Sequence, residues 1–405
     1  MENVQNSYCK RLKRKRIMIK HLLTLIWNRK KRSVLLIIEL SLAFLILFSV
    51  FGFVLYNMDN YKTPLGFDTE NIWMASLRMN SDPDSAERVE TKALLLQSLR
   101  QIPEISEVSY SNPVSPFSGS TWQTSTIDNG FEMDVELAAA DLNNDKTLGL
   151  NVVEGRWFNK EDKSAKYRPI VINKKMRMAY WPDSTAIGRI IKLNGESKIV
   201  GVIDNYKYHG EFSEEKNVVI SLFAEHSDQN PTLIIRLKDG FDPTIEQDIN
   251  RIIQQTTKGW KFSIENLESK RKFLNVDYWI PMVVLGSISG FLIFNVALGL
   301  FGVLVYNIKK RRGEIGLRRA LGANPKSISN QFIFEILFLT SISILIALFF
   351  AIQFPIMGFF DVDTSLYIRA MFYSALVIYS LVLICTIYPS IQAARVHPAT
   401  ALHEE

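Results

Sequence analysis

Long apolar runs alternate with mixed polar segments along this chain, and their lengths separate two kinds of structure. Val34 to Tyr56 supplies 23 positions with one ionisable residue, Glu39, and Trp279 to Tyr306 carries no charge. Two further runs extend from about Phe332 to Phe354 and from Met371 to Tyr388. A bilayer core takes roughly 20 consecutive apolar residues as helix. The pattern therefore predicts four membrane-spanning helices, at 34–56, 278–306, 332–354 and 371–388. The first run is too long for a cleaved signal peptide and no small-residue cleavage pattern follows it, which predicts a retained anchor. Just upstream, Met18, Ile19, Leu22, Leu23, Ile26 and Trp27 share one helical face, the pattern of an interfacial helix. Residues 1–17 show no periodicity and read as a basic tail, with Met18 an alternative start.

Between the first and second spans the pattern shortens. Asn71 to Arg78 alternates as a strand, Ser85 to Arg100 has helical spacing through Val89, Leu94, Leu95 and Leu99, and Ile105 to Ser111 reads as a strand again. The same order returns with Thr232 to Leu237 as strand, Pro243 to Gln255 as helix capped by Asp242, and Lys261 to Glu265 as strand. Two such halves predict a ferredoxin-like split βαβ sheet. Asp128-Asn129-Gly130 signals a hairpin between Thr121–Thr126 and Phe131–Ala138. Beyond it, Pro169 to Ile172 reads as strand, Lys174 to Tyr180 as helix, and Ile190–Leu193 with Ser197–Val202 as paired strands. Residues 57–277 are thus expected to form an α+β domain of two lobes, with a mainly β insertion at about 140–225.

Charge gives the expected orientation. Residues 1–33, 307–330 and the tail from Pro389 together hold 19 basic and 4 acidic residues, leaving 28 basic and 35 acidic residues for the other side once Glu39 and Glu335 are assigned to spans. The positive-inside bias places both termini and the 307–331 loop in the cytoplasm, with the large domain and the short 355–370 loop on the far side. Basic charge beside membrane ends calls for lipid as its partner rather than nucleic acid. Cys9 lies in the tail and Cys385 in the fourth span, so no disulfide staples the large domain.

Catalytic chemistry is absent from the pattern. No G-x-x-x-x-G-K-[ST], H-E-x-x-H, paired-cysteine metal motif or G-x-S-x-G occurs, so the chain is read as non-catalytic, without a cofactor or metal of its own. His209, His226, His397 and His403 are scattered through polar loops and the tail, and His21 sits on the amphipathic helix, so surface histidine is the default for all five. Glu39 and Glu335 are the ionisable residues within spans, too few for a proton relay. Gly286 and Gly290 form G-x-x-x-G, and Gly299 and Gly302 recur along the same span, spacing that suits helix–helix packing within the chain or with a partner chain.

The cytoplasmic loop is the most informative stretch. Lys309 to Asn324 contains Arg311-Arg312-Gly313-Glu314-Ile315-Gly316-Leu317-Arg318-Arg319-Ala320-Leu321-Gly322-Ala323, in which Ile315, Leu317, Ala320 and Leu321 give a short helix an apolar face. Gly322 and Asn324-Pro325 end it before a new helix enters the third span. This loop resembles the coupling segment of FtsX-like permeases of the macrolide-exporter (MacB-type) ABC transporter superfamily, with its pattern R-R-x-E-I-G-[LI]-R-[RK]-A-[LI]-G-A. The closing stretch, with Tyr388-Pro389-Ser390, Ala393-Ala394-Arg395, Pro398 and Ala401-Leu402, is similar to that family's C-terminal pattern, and Gly155-Arg156-Trp157-Phe158 and Val171-Ile172-Asn173 resemble its periplasmic core domain.

The resemblance implies an inner-membrane permease that transmits motion and works as a homodimer or with a paralogous permease. ATP and Mg²⁺ would be bound by a separate cytoplasmic ABC ATPase, since a basic stretch of about 33 residues stands where macrolide exporters carry theirs. Glu314, Arg318 and Arg319 would face that ATPase while Ile315, Leu317 and Leu321 seat the helix, with Gly316, Ala320 and Gly322 completing the segment. A periplasmic adaptor and outer-membrane channel are further expected partners if the substrate is exported, and lipoprotein extraction is the other transport role. The alternatives are an FtsX-like regulator of a periplasmic cell-wall hydrolase and a membrane-anchored enzyme or adhesin.

Overall fold

The computed structural model describes residues 30–79, 85–112, 115–128, 131–193, 195–224, 230–257, 259–358 and 362–394. The interfacial helix expected at 18–28, Cys9 and the end of the chain from Arg395 lie outside these residues. The chain divides into two compact units, one made of Met1–Tyr56 with Pro281–Glu405 and one of Asn57–Ile280.

In chain order, helix α1 (Lys30–Lys62) precedes β1 (Ile72–Arg78), α2 (Ser85–Leu99), β2 (Ile105–Asn112), β3 (Gln123–Asp128), β4 (Phe131–Ala140), α3 (Asn144–Leu148) and β5 (Val152–Gly155). A 3₁₀ turn at Lys160–Ser164 leads to β6 (Arg168–Asn173), α4 (Lys174–Tyr180), β7 (Ile190–Lys192), β8 (Glu196–Ile203), β9 (Val218–Leu222), β10 (Thr232–Leu237), α5 (Ile245–Thr257) and β11 (Lys261–Asn266). The remainder is helical: α6 (Leu267–Lys310), α7 (Arg312–Ala320), α8 (Pro325–Ala351), α9 (Gln353–Met357) and α10 (Thr364–Ala394).

The 57–280 unit contains the split βαβ arrangement. Its strands run β11-β1-β10-β2, each antiparallel to its neighbour, with α2 and α5 as the two crossovers. Ile245, Ile249 and Ile253 recur every four residues on α5, so one helical face meets the sheet. They pack with Leu95 and Leu99 of α2 over Ala75, Leu77, Val108, Leu233 and Ile235. At the start of α5 the Asp242 carboxylate accepts the N–H of Thr244 at 2.9 Å, and the helix begins two residues later than the sequence suggested.

The insertion is mainly β, but its strands are not a separate sheet. Ser111 and Asn112 of β2 pair with Ala140 and Ala139 of β4, and the ladder continues through β9, β6, β8 and β5 into a sheet of eleven strands. The lobes are distinguished by their cores. Ile170, Ile172, Met176, Trp181, Ile191 and Ile199 form one within the insertion. A second joins insertion residues Leu148, Trp157 and Tyr208 to Ile72, Met74 and Ile234 of the split sheet. Strands β5 and β9 and helix α3 lack a strong periodicity of their own, being four or five residues long, and were not anticipated.

Among the described residues, four helices are long and apolar enough to cross a membrane: Val34–Lys62, Leu267–Lys310, Pro325–Met357 and Thr364–Ala393. At 44 residues α6 is far longer than its apolar run, about 65 Å at 1.5 Å per residue, and contains Pro281. In the bundle, Leu40, Phe44 and Leu47 of α1 meet Leu300 and Leu304 of α6, Ile336 and Ala347 of α8, and Ile378 and Val382 of α10. Lipid is as apolar as these side chains, so close packing and internal hydrogen bonds hold the helices rather than exclusion of water. Ser41 Oγ donates to the Ser343 carbonyl at 2.9 Å, and Ser341 meets the Tyr379 hydroxyl at 2.8 Å.

Candidate functional site

Helix α7 is built by its ends. Gly322 takes φ +89°, which only glycine adopts readily, and the N–H groups of Gly322 and Ala323 return to the carbonyls of Arg319 and Arg318. This is the paired hydrogen bonding of a Schellman stop. Asn324 then caps α8, its side chain accepting the Lys326 N–H at 3.0 Å, with Pro325 in the first turn.

One side of α7 is anchored. Ile315 is 3% exposed and packs with Ile328 and Phe332 of α8 and Ala393 of α10, and Gly316 is buried beside it. Arg311, immediately before the helix, donates to both Glu335 oxygens at 2.8 and 3.1 Å and lies 5.6 Å over the Phe332 ring. Glu335 therefore pairs with the α7 end of the loop. Arg318 bridges Glu314 and donates to Gln331 at 3.0 Å, and Arg319 donates to the Ala323 carbonyl.

The division of labour expected for the apolar residues needs correcting. Leu317 is 53% exposed and Leu321 is 80% exposed, so neither seats the helix. Only Ile315 of the three does so. Leu317 and Leu321 stand four residues apart on one helical stripe, alongside the exposed Glu314, Arg318 and Ala320. The outer surface of α7 thus combines two large apolar side chains with charge of both signs. Of the four glycines, only Gly299 meets a close neighbour: a Cβ there would lie 2.8 Å from Glu39 Oε1, whereas Gly286, Gly290 and Gly302 have no atom within 4 Å. Glu39 of α1 thus lies against α6.

A second constellation, at Tyr206 to Phe212, left only an aromatic-rich loop as its mark in the sequence. Lys207 is 2% exposed, and its ammonium donates to the carbonyls of Asn60 and Glu211, each at 2.6 Å, and of Thr63 at 3.4 Å. A cation at the carbonyl end of α1 also complements that helix's dipole. Burial pushes the Lys207 pKa down to about 8 against the pull of Glu215 and Glu211. Four residues on, the Glu211 carboxylate accepts from Arg271 at 2.6 and 3.1 Å and from Asn275, both on the first turns of α6. Phe212 stacks on Tyr61 and Tyr278 at 5.0 and 5.1 Å. Tyr208 reaches back into the sheet, donating to the buried carboxylate of Glu136 on β4, and His209 Nε2 lies 3.6 Å from the same group. Burial pushes the Glu136 pKa up, but hydrogen bonds from His209, Tyr208 and Gln123 outweigh it and hold the carboxyl below its usual range. One short loop therefore ties the last turn of α1, the first turns of α6 and a central strand together.

Among the described residues no group of three or more His, Cys, Asp or Glu is placed to hold a metal. These features define a class: a multi-pass membrane protein with an α+β domain between its first and second apolar helices and a short amphipathic helix between its second and third. Residues 34–252 match the MacB-like periplasmic core domain, and residues 286–398 match the FtsX-like permease C-terminal model. The chain belongs to this family and is an ABC transporter permease of the MacB and FtsX type.

Similar proteins include the uncharacterized ABC transporter permease YvrN of Bacillus subtilis, 25% identical over 63% of this chain and 67% of that protein. The macrolide export ATP-binding/permease protein MacB of Bartonella quintana is 24% identical over 86% of this chain and 53% of its own, so the chain spans about half of that relative. Among solved structures, the periplasmic region of MacB from Actinobacillus actinomycetemcomitans is 10% identical over 54% of this chain and 98% of that one, with a TM-score of 0.38. The extracellular domain of YknZ, a noncanonic ABC-type transporter from Gram-positive bacteria, is 15% identical over 48% of this chain and 100% of that one, with a TM-score of 0.34.

Proposed function

We propose that this chain is the permease subunit of an ATP-driven transporter of the inner membrane that works by mechanotransmission. A separate cytoplasmic ABC ATPase, holding ATP and Mg²⁺, docks on α7 and drives movement of the large domain on the periplasmic side, for export or extraction of a substrate. Two permease copies, or one copy and a paralogue, complete the assembly, and an adaptor with an outer-membrane channel completes an export route. The observation that carries this reading is the pair Leu317 and Leu321, exposed beside Glu314 and Arg318 on a helix whose opposite side is anchored through Ile315. Large apolar residues ringed by charge are what a docking helix offers a protein partner. A helix braced against two spans also passes on a push rather than absorbing it.

The test is affinity purification from native membranes of wild type and of Leu317→Asp/Leu321→Asp. A P-loop ATPase is expected to co-purify with wild type and to be lost from the variant, while membrane insertion is unchanged. Equal recovery with both would exclude α7 as the docking helix.

A further inference from the structure

A cavity of about 270 Å³ opens in the α+β domain where α2, β2, the 141–143 turn, the 160–164 turn and the end of β9 meet. Its apolar lining comes from Leu96, Leu142 and Phe223, the last only 8% exposed. Four cations, Lys92, Arg100, Lys160 and Lys163, line it against a single carboxylate, Asp141. The segments on that side of the charge count carry more acidic than basic residues, 35 against 28, so a four-to-one basic excess around one cavity is not the average surface of this domain.

Lys92 and the turn that carries Lys160 and Lys163 are held in place. Lys92 is 4% exposed and its ammonium lies 5.4 Å over the Phe223 ring, so its stem is buried along the wall. Lys160 and Lys163 belong to a turn closed by a capping box between Asn159 and Asp162, and Arg156 clamps Asp162 with bonds of 2.6 and 2.8 Å. Asp141 already accepts the N–H groups of Tyr110 and Asn143, one on each carboxylate oxygen at 2.9 Å. Its carboxylate is therefore committed to the backbone as part of the wall.

We propose that this cavity binds a small amphipathic anion: one carboxylate, sulfonate or phosphate group set among Lys92, Arg100, Lys160 and Lys163, with a compact apolar moiety against Phe223 and Leu96. Convergent positive charge beside low-dielectric walls concentrates anions. A volume just below the roughly 300 Å³ at which small-molecule pockets begin restricts the apolar part to a ring or short chain. The neighbouring cavity over β4, β9 and β6 is lined by one cation, Arg168, and so lacks this charge pattern. The inference is independent of the docking role of α7, since no ATPase takes part in the binding.

Benzenesulfonate, whose charge is fixed across the working pH range, is the probe. Saturation-transfer NMR on the full chain in phosphatidylcholine nanodiscs is expected to show binding of benzenesulfonate and none of neutral benzenesulfonamide above empty discs. Lys160→Glu/Lys163→Glu alters two exposed residues and is expected to weaken binding by about tenfold or more. Phe223→Ala removes the ring contact and weakens it independently. Incorporating phosphatidylglycerol distinguishes sources of the anion: loss of the benzenesulfonate signal assigns the pocket to a lipid headgroup, and an unchanged signal assigns it to a free solute. Absence of binding to wild type at millimolar probe, equal binding of the sulfonamide, or an unchanged affinity in Lys160→Glu/Lys163→Glu with native circular dichroism would overturn the proposal.

Discussion

Replacing Arg311 by Met removes a guanidinium whose side chain is 9% exposed and which gives both hydrogen bonds to Glu335. The Glu335 side chain, 15% exposed, is then left without its charge partner. Breaking a buried pair by deleting one member costs about 3–5 kcal/mol, whereas replacing both by apolar groups of similar volume is close to neutral. Loss of the guanidinium over Phe332 adds about 0.5–1 kcal/mol to any variant lacking Arg311. Glu335→Leu is expected to destabilise the bundle by about 3–5 kcal/mol and Arg311→Met by about 3.5–6 kcal/mol. At about 2–4 °C per kcal/mol for a unit of this size, that is a fall in Tm of roughly 6–24 °C across the two. The double variant is expected to lose less than either single one.

Cys385 supplies the assay. It is a free cysteine of α10, partly buried against the bundle core, so in a Cys9→Ser background a thiol-reactive dye labels it as the bundle opens. Thermal labelling curves of the four proteins in mild detergent then form a double-mutant cycle. Single-variant losses that simply add, to within about 0.5 kcal/mol, would refute the reasoning, because residues that form one buried pair must couple.

Three further outcomes follow from the geometry. Ile315→Ala is expected to cost about 2–5 kcal/mol in the same labelling assay, because it empties a buried site, while Leu317→Ala stays within about 0.5 kcal/mol. Gly299→Val forces its side chain into the space of Glu39 and is expected to cost about 1–3 kcal/mol, whereas Gly302→Val, with no neighbour within 4 Å, is expected to be nearly silent in the isolated chain. Burial raises Asp141 to a pKa of about 6, above the unfolded value of about 3.9, so the folded state keeps its proton to higher pH. That contribution is fully present below the unfolded pKa and is lost as pH rises through 6. Urea denaturation followed by tryptophan fluorescence is expected to show stability falling over this window in wild type, with the slope reduced in Asp141→Asn.

The split βαβ half of the large domain was legible because each element is long enough to show a period. The strand over Ile72–Arg78 and the helix marked by the four-residue isoleucine repeat over Ile245–Ile253 both occur where expected, and β1 is buried on both faces, Ile72 and Met74 in one core and Ala75 and Leu77 in the other. The insertion was harder for the same reason. Val152–Gly155 and Val218–Leu222 are too short to distinguish strand from loop, and nothing local announces that Ser111 and Asn112 will pair with Ala140 and Ala139 to join the lobes in one sheet. Such pairing is set by distant residues, which a periodicity argument does not see.

The α7 loop shows a different limit. Its apolar spacing identified a helix, and Gly322 and Asn324-Pro325 identified its ends, since those signals are local. Which apolar residues would be buried was not local at all. Ile315 and Leu317 differ by two positions, about 200° around a helix, so they cannot share a face. Seating the helix through both was geometrically excluded, and only the neighbours Ile328, Phe332 and Ala393 decide that Ile315 turns inward. The Lys207 loop reverses the difficulty: its chemistry is carried by carbonyls of Asn60 and Thr63 and by side chains 60 or more residues away in α6, so no spacing pattern marks it. In both places the polar anchors stand near the ends of the long helices, Arg311 with Glu335 at one and Lys207 with Glu211 and Arg271 at the other. The apolar middle of each span can then be read from hydropathy, while the polar contacts near its ends must be read from structure.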